Sequence, residues 1–112
     1  MYLNKVFVIG IVEKAPQLSY PSTGNPVCAF TLVIKEDGPS GQTFTSYIPV
    51  EVVGKVSEDV AASLDAGDLC CIEGRLKYRS QGQNREGKKV GGLIISTWMR
   101  PSVLAAAAVS TN

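Results

Sequence analysis

The sequence contains no histidine, and its 112 residues include only three cysteines. Without histidine the chain lacks the most frequent general base of enzymes, and a zinc site lacks its usual ligands. Cys28, Cys70 and Cys71 are odd in number and show no C-x-x-C spacing, so a disulfide framework is not expected. We predict small buried apolar side chains in a reducing compartment, with no metal ion and no cofactor.

The chain also lacks the G-x-x-x-x-G-K-[ST] loop that holds nucleotide phosphates, and it has no carboxylate pair with a supporting nucleophile at recognisable spacing. Glu58 and Asp59 are adjacent, and a place in the first turn of a helix accounts for both. No predicted helix carries basic residues able to enter a major groove. The sequence therefore predicts neither an enzyme nor a sequence-specific binder of duplex DNA.

Long hydrophobic runs are absent as well. The apolar run from Val6 to Val12 contains Gly10 and follows Lys5, so it is too short to span a bilayer and has no signal-peptide cleavage pattern. With 45% hydrophobic and 19% charged residues, a chain of this length can bury one core. We expect one cytoplasmic domain over residues 1–104, without membrane contact, and a flexible tail over 105–112.

Basic residues are abundant only in the last third of the chain. Residues 1–74 carry four lysines against nine carboxylates, whereas residues 75–112 carry seven lysines and arginines against Glu86 alone. Such a concentrated basic field attracts phosphates. A solvated hairpin, whose charges serve solubility, is the alternative interpretation.

Segments rich in valine, isoleucine and aromatic residues predict five strands, at residues 3–14, 27–36, 43–53, 69–79 and 90–99. Turn-forming residues at 20–26 and 37–41 and a polar loop at 80–87 separate them. Gly10 predicts a bulge or bend within the first strand. Pro49 requires the third strand to be at an edge or bulged, because proline cannot donate to the ladder.

One short helix is predicted between the third and fourth strands. Ser57 is the expected cap, Val60 and Leu64 share one face, and Gly67 lies just beyond the end. Five strands with a helix in this position are typical of an all-β, five-stranded Greek-key OB-fold barrel.

Four segments resemble the bacterial single-stranded DNA-binding proteins. They are LNKVFVIG at 3–10, the APQLSY-x-x-x-G-x-PV-x-x-FTL run at 15–32, V-x-V-x-GK at 50–55 and G-x-x-x-x-I-x-GRLKYR at 67–79. The segments follow the family's order and spacing within residues 3–104. The resemblance implies a barrel that pairs its first strand with a neighbour's and forms homotetramers or dimers. It also implies that the protein binds single-stranded DNA without sequence preference during replication, recombination or repair, and nothing in the sequence separates DNA from RNA.

In this family, lysine and arginine contact the phosphates and aromatic rings stack under the bases. Lys5, Lys55, Lys77 and Arg79 match basic contact positions, and Tyr47 matches a stacking ring. Further rings of the family are replaced here by Gly38, Val53 and Gln81, so stacking is expected to be weaker. Candidate replacements for those rings are Tyr20, Phe44 and Tyr78, and further candidate cations are Lys35, Arg85, Lys88 and Lys89. For each lysine the alternative is an ordinary surface charge, and for Tyr47 it is core packing. Trp98 is assigned to core or subunit packing.

The last residues, AAAAVSTN, have neither the acidic charge nor the aromatic tip of the family's tail, so recruitment of replication or repair enzymes by that route is not expected. The chain therefore resembles either a short, tail-less member of the family or a trimmed piece of a longer one. Short relatives of this kind act as primosomal replication-restart proteins, which dock other proteins as well as single strands. The missing rings favour this second function, while the matches at 15–32 and 67–79 favour general single-strand binding.

Overall fold

A computed structural model describes residues 1–22 and 24–107, apart from the side chains of Gln81, Lys89 and Val90. It contains one helix, α1 (Val56–Ser63), and the strands β1 (Val6–Val12), β2 (Gln17–Ser19), β3 (Val27–Asp37), β4 (Thr43–Val53), β5 (Leu69–Gln83), β6 (Lys89–Thr97) and β7 (Ser102–Ala105). The long strands coincide with the segments rich in β-branched and aromatic residues, as their propensity requires.

Five of these strands close into a barrel. Their order is β1-β3-β4-β6-β5, and β5 pairs back with β1 to complete the ring. The β4–β6 pair is parallel and the other pairs of the ring are antiparallel. α1 lies between β4 and β5 in the chain and contacts β2, β3 and β4. The predicted five-stranded barrel with one helix is confirmed.

Two short strands extend this barrel and were not predicted. β2 pairs with β3, and β7 pairs with the start of β5. They have three and four residues, which is too short for a periodic pattern to stand out.

Alternation along the strands separates the core from the outside. Side chains at even positions of β1, β3 and β4 point inward, and their neighbours point outward. The buried apolar core is formed by Val12, Cys28, Phe30, Leu32, Val50, Val52, Val60, Leu64, Cys70, Ile72 and Ile95. Val60 of α1 and Leu64, which caps the C-terminus of this helix, close one side of the core.

Two strand glycines allow close approach of neighbouring backbones. A Cβ at Gly74 would lie 2.7 Å from the Ser96 carbonyl oxygen, and one at Gly10 would lie 2.9 Å from the Val33 carbonyl oxygen. Gly10 immediately precedes Ile11, where β1 begins to pair with β3 as well as β5. The requirement at both positions is therefore space for a neighbouring strand.

Pro49 lies one residue before the point where β6 joins β4, since that pairing begins at Val50. At Pro49 itself β4 pairs with β3, opposite Thr31. The proline thus lies at a position of β4 that is not yet paired with β6. This agrees with the prediction that Pro49 lies at an edge of the sheet.

The predicted cap of α1 is wrong. Lys55 occupies the N-cap position with helical backbone angles and makes no side-chain cap bond. Ser57 lies within the helix, buried, and its hydroxyl donates a hydrogen bond of 2.6 Å to the Gly54 carbonyl. Gly54 has a φ of +102°, so the tight turn there brings its carbonyl under the first helical turn. Ser57 therefore stabilises the turn that precedes the helix.

The hairpin between β5 and β6 is longer than predicted. β5 continues to Gln83, and the connection is a short turn in which the Asn84 side-chain oxygen accepts hydrogen bonds from the backbone N–H groups of Glu86 and Lys88. The pairing shifts register between Ser80 and Gln83, with Gly82 at a φ of +91°. Polar composition suggested a loop here because both faces of the protruding hairpin meet solvent.

The three cysteines are free, with Cys28 and Cys70 buried and Cys71 half-buried. Burial raises the pKa of the Cys28 thiol. Burial, followed by the nearby Asp68 and Cys71, raises the pKa of the Cys70 thiol to about 11. The two buried thiols thus behave as apolar core residues.

The chain remains in contact with the barrel after β7. The backbone N–H of Ala107 donates a hydrogen bond of 2.8 Å to the buried carboxylate of Asp68. Residues 108–112, which include most of the predicted tail, lie outside the described residues. Within the described part of the chain, no helix is long and apolar enough to cross a membrane.

Candidate nucleic-acid interface

The outward side chains of β3, β4, β6 and β5 form a groove across one side of the barrel, which we call the outer groove. It contains two adjoining depressions. One, of about 410 Å³, lies between β4, β6, β5 and the loop residues Pro21, Gly24 and Asn25. The other, of about 330 Å³, lies over β3 and β4 and is bounded by residues 13–17. Glu51 lines both depressions and marks where they meet.

Strand register aligns the polar side chains of the groove. Ser96 on β6 pairs with Glu51 on β4 and with Arg75 on β5, so these three residues form one row across the sheet. Arg75, Lys77 and Arg79 alternate along β5, and all three line the larger depression. Residues two apart on a strand share a face at a spacing of about 7 Å. The groove therefore has a line of cations along one wall.

Arg79 is bound to a buried carboxylate. Its Nη2 donates hydrogen bonds of 2.7 and 2.6 Å to the two carboxylate oxygens of Glu51, and its Nε donates one of 3.1 Å. The Ser96 hydroxyl donates a fourth bond, of 2.8 Å, to Glu51. The Glu51 side chain is 10% exposed and that of Arg79 46% exposed. Arg79 matches a phosphate-contact position of the family, but nothing in the sequence indicated Glu51 as its partner.

Trp98 and Arg75 form a stacked pair that was not predicted from the sequence. The guanidinium carbon of Arg75 lies 3.7 Å from the centroid of the Trp98 ring. Trp98 is 61% exposed, so it is not a core residue. Two features of the sequence could have indicated this pair. Trp98 is two residues after Ser96, so both side chains can lie on one face, and Arg75 belongs to the basic last third of the chain.

Of the candidates selected from the sequence, four lie on the outer face of the barrel: Lys35, Tyr47, Lys77 and Arg79. Tyr47 pairs with Val33, lies two residues before Pro49 on the same face, and is 61% exposed. Core packing, the alternative for Tyr47, is thus excluded. Lys35 is exposed on β3 opposite Thr45, and it lies farther from the larger depression than Tyr47 does.

Phe44 and Tyr78 lie on the opposite sheet face, on the parts of the hairpins that extend past the barrel. Their rings cover glycines across the strand pair: a Cβ at Gly38 would lie 2.5 Å from the Phe44 ring, and one at Gly91 would lie 2.5 Å from the Tyr78 hydroxyl. Both side chains are more than half exposed. The structure does not bring either ring into the outer groove.

The remaining cations are dispersed. Lys5 forms an ion pair of 2.8 Å with Glu73 and lies 5.2 Å from the Phe7 ring centroid. Lys55 is exposed at the start of α1. Arg85 and Lys88 are exposed in the β5–β6 turn, and the side chain of Lys89 lies outside the described part. Tyr20 is exposed and directly precedes Pro21, which borders the groove.

The chemistry available in the outer groove is binding by cations and aromatic faces. Among the described residues, no group of three histidine, cysteine, aspartate or glutamate side chains could hold a metal ion. The groove instead offers charge for phosphates and rings for planar groups.

A model of the single-strand binding protein family matches residues 3–97. Single-stranded DNA-binding protein 2 of Clostridium acetobutylicum is 38% identical over 80 residues, covering 70% of this chain and 60% of the relative. The single-stranded DNA-binding protein of Aquifex aeolicus is 36% identical over 91 residues, with coverage of 78% and 60%. Single-stranded DNA-binding protein A of Bacillus subtilis is 32% identical over 90 residues, with coverage of 79% and 52%. The matched region is thus between half and two thirds of these relatives' length.

A solved structure of a Plasmodium falciparum SSB in complex with ssDNA has the same fold. The TM-score is 0.77 at 19% sequence identity, and the match covers 95% of this chain and 96% of the other. This likeness agrees with the barrel topology derived from the strand pairing.

Proposed function

The chain belongs to the single-strand binding protein family, and from this premise we propose that it binds single-stranded DNA without sequence preference and protects it during replication, recombination or repair. The observation that carries the proposal is the outer groove, where the exposed ring of Tyr47 and the cations of β5 share one continuous face. We place this role in the cytoplasm, at the nucleoid, and it involves no catalysed reaction.

Both kinds of contact are insensitive to base sequence. Every base has a π face that can stack on an aromatic ring, and cations follow the phosphates whatever the bases are. Neither contact reads the 2′-hydroxyl, so single-stranded RNA is a second ligand to be measured beside DNA.

The proposed function is tested by titrating a fluorescently labelled oligothymidylate with the protein and following its anisotropy. We expect saturable binding of the single strand that an unlabelled duplex of equal length competes for poorly. An absence of binding at micromolar protein, or equal competition by the duplex, would contradict the proposal.

Lys77 is expected to contribute mainly to the salt dependence of binding. It lies in the middle of the cation line, and each phosphate neutralised on a single strand adds about −0.7 to the slope of log affinity against log salt. Lys77→Ala should therefore flatten this slope by about 0.7 and weaken binding equally for all base sequences. The matched control is Arg100→Ala, which removes an exposed cation paired with Asp59 of α1. A slope unchanged by Lys77→Ala would show that this charge is only solvated.

We also propose self-association through β1. Its residues Phe7, Ile9 and Ile11 expose apolar side chains on the outward face. Among the described strands, β1 pairs with β3 only at Ile11 and Val12, so its earlier part has β5 on one side alone. An open apolar edge of this kind invites pairing with a second copy.

Sedimentation should therefore show a dimer or tetramer at micromolar concentration. Ile9→Lys should shift the protein toward the monomer without unfolding it, because this side chain is exposed in the single chain. A parent protein that sediments only as the 11.9 kDa monomer would contradict this proposal.

The replication-restart function shares the groove but adds a docked protein. It is favoured by the replacement of family rings by Gly38, Val53 and Gln81. Co-purification with a helicase would support it, and binding of oligothymidylate alone would support the general role.

A further inference from the structure

We propose that Trp98, held in place by Arg75, is a platform on which a base of the bound single strand stacks at the β6 end of the outer groove. This inference rests on the proposed function, and it gives a binding role to a residue for which the sequence indicated core or subunit packing. Trp98 follows the last residue of β6 and has the same outward direction as Ser96, two positions earlier. Its ring is therefore presented to the groove and not to the core.

The stacked guanidinium orients the ring. At 3.7 Å from the ring centroid, the Arg75 guanidinium is in direct contact with the π system, and a cation in this position is attracted by the ring quadrupole. Arg75 is itself half-buried, so its side chain is restrained by the sheet. A ring that is already oriented loses less conformational entropy when a ligand stacks on it.

The pair stands between two depressions. Arg75, Ser96 and Trp98 line the larger depression of the outer groove. They also line a depression outside the groove, of about 230 Å³, which is bounded by Lys5 and Glu73 and which we call the side depression. On the groove side of the pair, Lys77 lines the larger depression together with Arg75 and Trp98. A base on the platform thus has a cation available for the neighbouring phosphate.

Among the described residues that line the larger depression, Trp98 is the one aromatic side chain, and Val53 on β4 presents only an aliphatic surface. Tyr47 belongs to the other end, on the same face as Pro49 of the smaller depression. With Tyr47 and Trp98, the groove has a stacking surface at each end and cations along one wall.

The unique tryptophan makes the proposal directly observable, since the chain contains only one. Oligothymidylate should quench the intrinsic fluorescence of Trp98 at the same concentrations at which anisotropy reports binding. An abasic oligonucleotide of equal length, which offers phosphates without bases, should bind more weakly and leave most of the fluorescence unchanged. Quenching by the abasic strand to the same extent would overturn the proposal.

Variants provide the second readout. Trp98→Ala should weaken oligothymidylate binding by about tenfold, within the range for loss of one base–aromatic contact, and Trp98→Phe should restore most of it. Met99→Ala is the matched control, because this neighbouring exposed side chain lines the side depression of about 230 Å³ and neither depression of the outer groove. Thermal unfolding of each variant establishes that the fold is retained.

The outcomes separate this inference from the function on which it rests. If oligothymidylate binds to the parent while the fluorescence stays constant and Trp98→Ala binds equally well, the platform is wrong and the proposed function stands. If the parent does not bind oligothymidylate at all, the proposed function fails and the platform with it.

Discussion

Replacing Tyr47 by alanine is expected to weaken binding of oligothymidylate by about 1 to 3 kcal/mol, the range measured for loss of one base–aromatic stack. The ring is 61% exposed on the outer face of β4, opposite Val33, so it is available to a ligand in the absence of any rearrangement. The same exposure means that little apolar contact is lost within the barrel. The melting temperature should fall by no more than about 2 to 4 °C, as for an ordinary surface substitution.

Tyr47→Phe is the matched control for this prediction. It retains the π face and removes only the hydroxyl, so its affinity should remain close to that of the parent. Anisotropy and thermal unfolding should be measured on the same samples. An alanine variant that binds as tightly as the parent would remove Tyr47 from the site and leave the cations of β5 and Trp98 as the contacts.

Replacing Arg79 by alanine is expected to lower the free energy of unfolding by about 2 kcal/mol, or roughly 8 to 16 °C in melting temperature. The substitution leaves the Glu51 carboxylate nearly buried with only the Ser96 hydroxyl as a partner. The loss should be smaller than for a fully buried pair, because Arg79 is half exposed and its removal admits water to the carboxylate.

Adding Glu51→Gln to Arg79→Ala should recover much of the lost stability, since no charge is then left without a partner. Glu51→Gln alone should increase single-strand affinity and steepen the salt dependence, because the guanidinium is freed from its carboxylate and can neutralise a phosphate. Urea unfolding and salt titrations of the three variants measure both effects. Equal stability of Arg79→Ala and the parent would contradict the structural role of the ion pair, and reduced affinity of Glu51→Gln would show that the carboxylate instead holds Arg79 in its binding position.

The barrel was predictable because its strands are long and its signals are local. β3 and β4 follow the predicted segments almost residue for residue, since alternation of apolar side chains and the turn residues at 37–41 both define them. The end of β5 was missed because polar residues on a solvated hairpin have the composition of a loop. β2 and β7 depend on pairing with residues distant in the chain, which no local pattern records.

The candidate site was predictable only in part, for the same reason. Resemblance to the family selected Tyr47 and Lys77, and the structure has both on the outer face of the barrel. Phe44 and Tyr78 are at even positions of their strands, so their side chains lie on the sheet face opposite to that of Tyr47 and Lys77. Their aromatic character alone could not place them in the groove. The Arg79–Glu51 ion pair and the Arg75–Trp98 stack join residues 28 and 23 positions apart in the chain, and only the β4–β6–β5 register brings them together.

The central claim, that single strands lie in the outer groove, is tested most directly by photocrosslinking an oligonucleotide that carries 5-iodouracil and locating the linked residues by mass spectrometry. Halogenated bases crosslink to aromatic side chains that stack against them, and the outer face carries the exposed rings of Tyr47, on β4, and Trp98, which lines the larger depression. We expect crosslinks at these two residues. Crosslinks confined to Phe7 on β1, or to Phe44 and Tyr78 on the opposite face of the hairpins, would contradict the account and move the binding surface away from the groove.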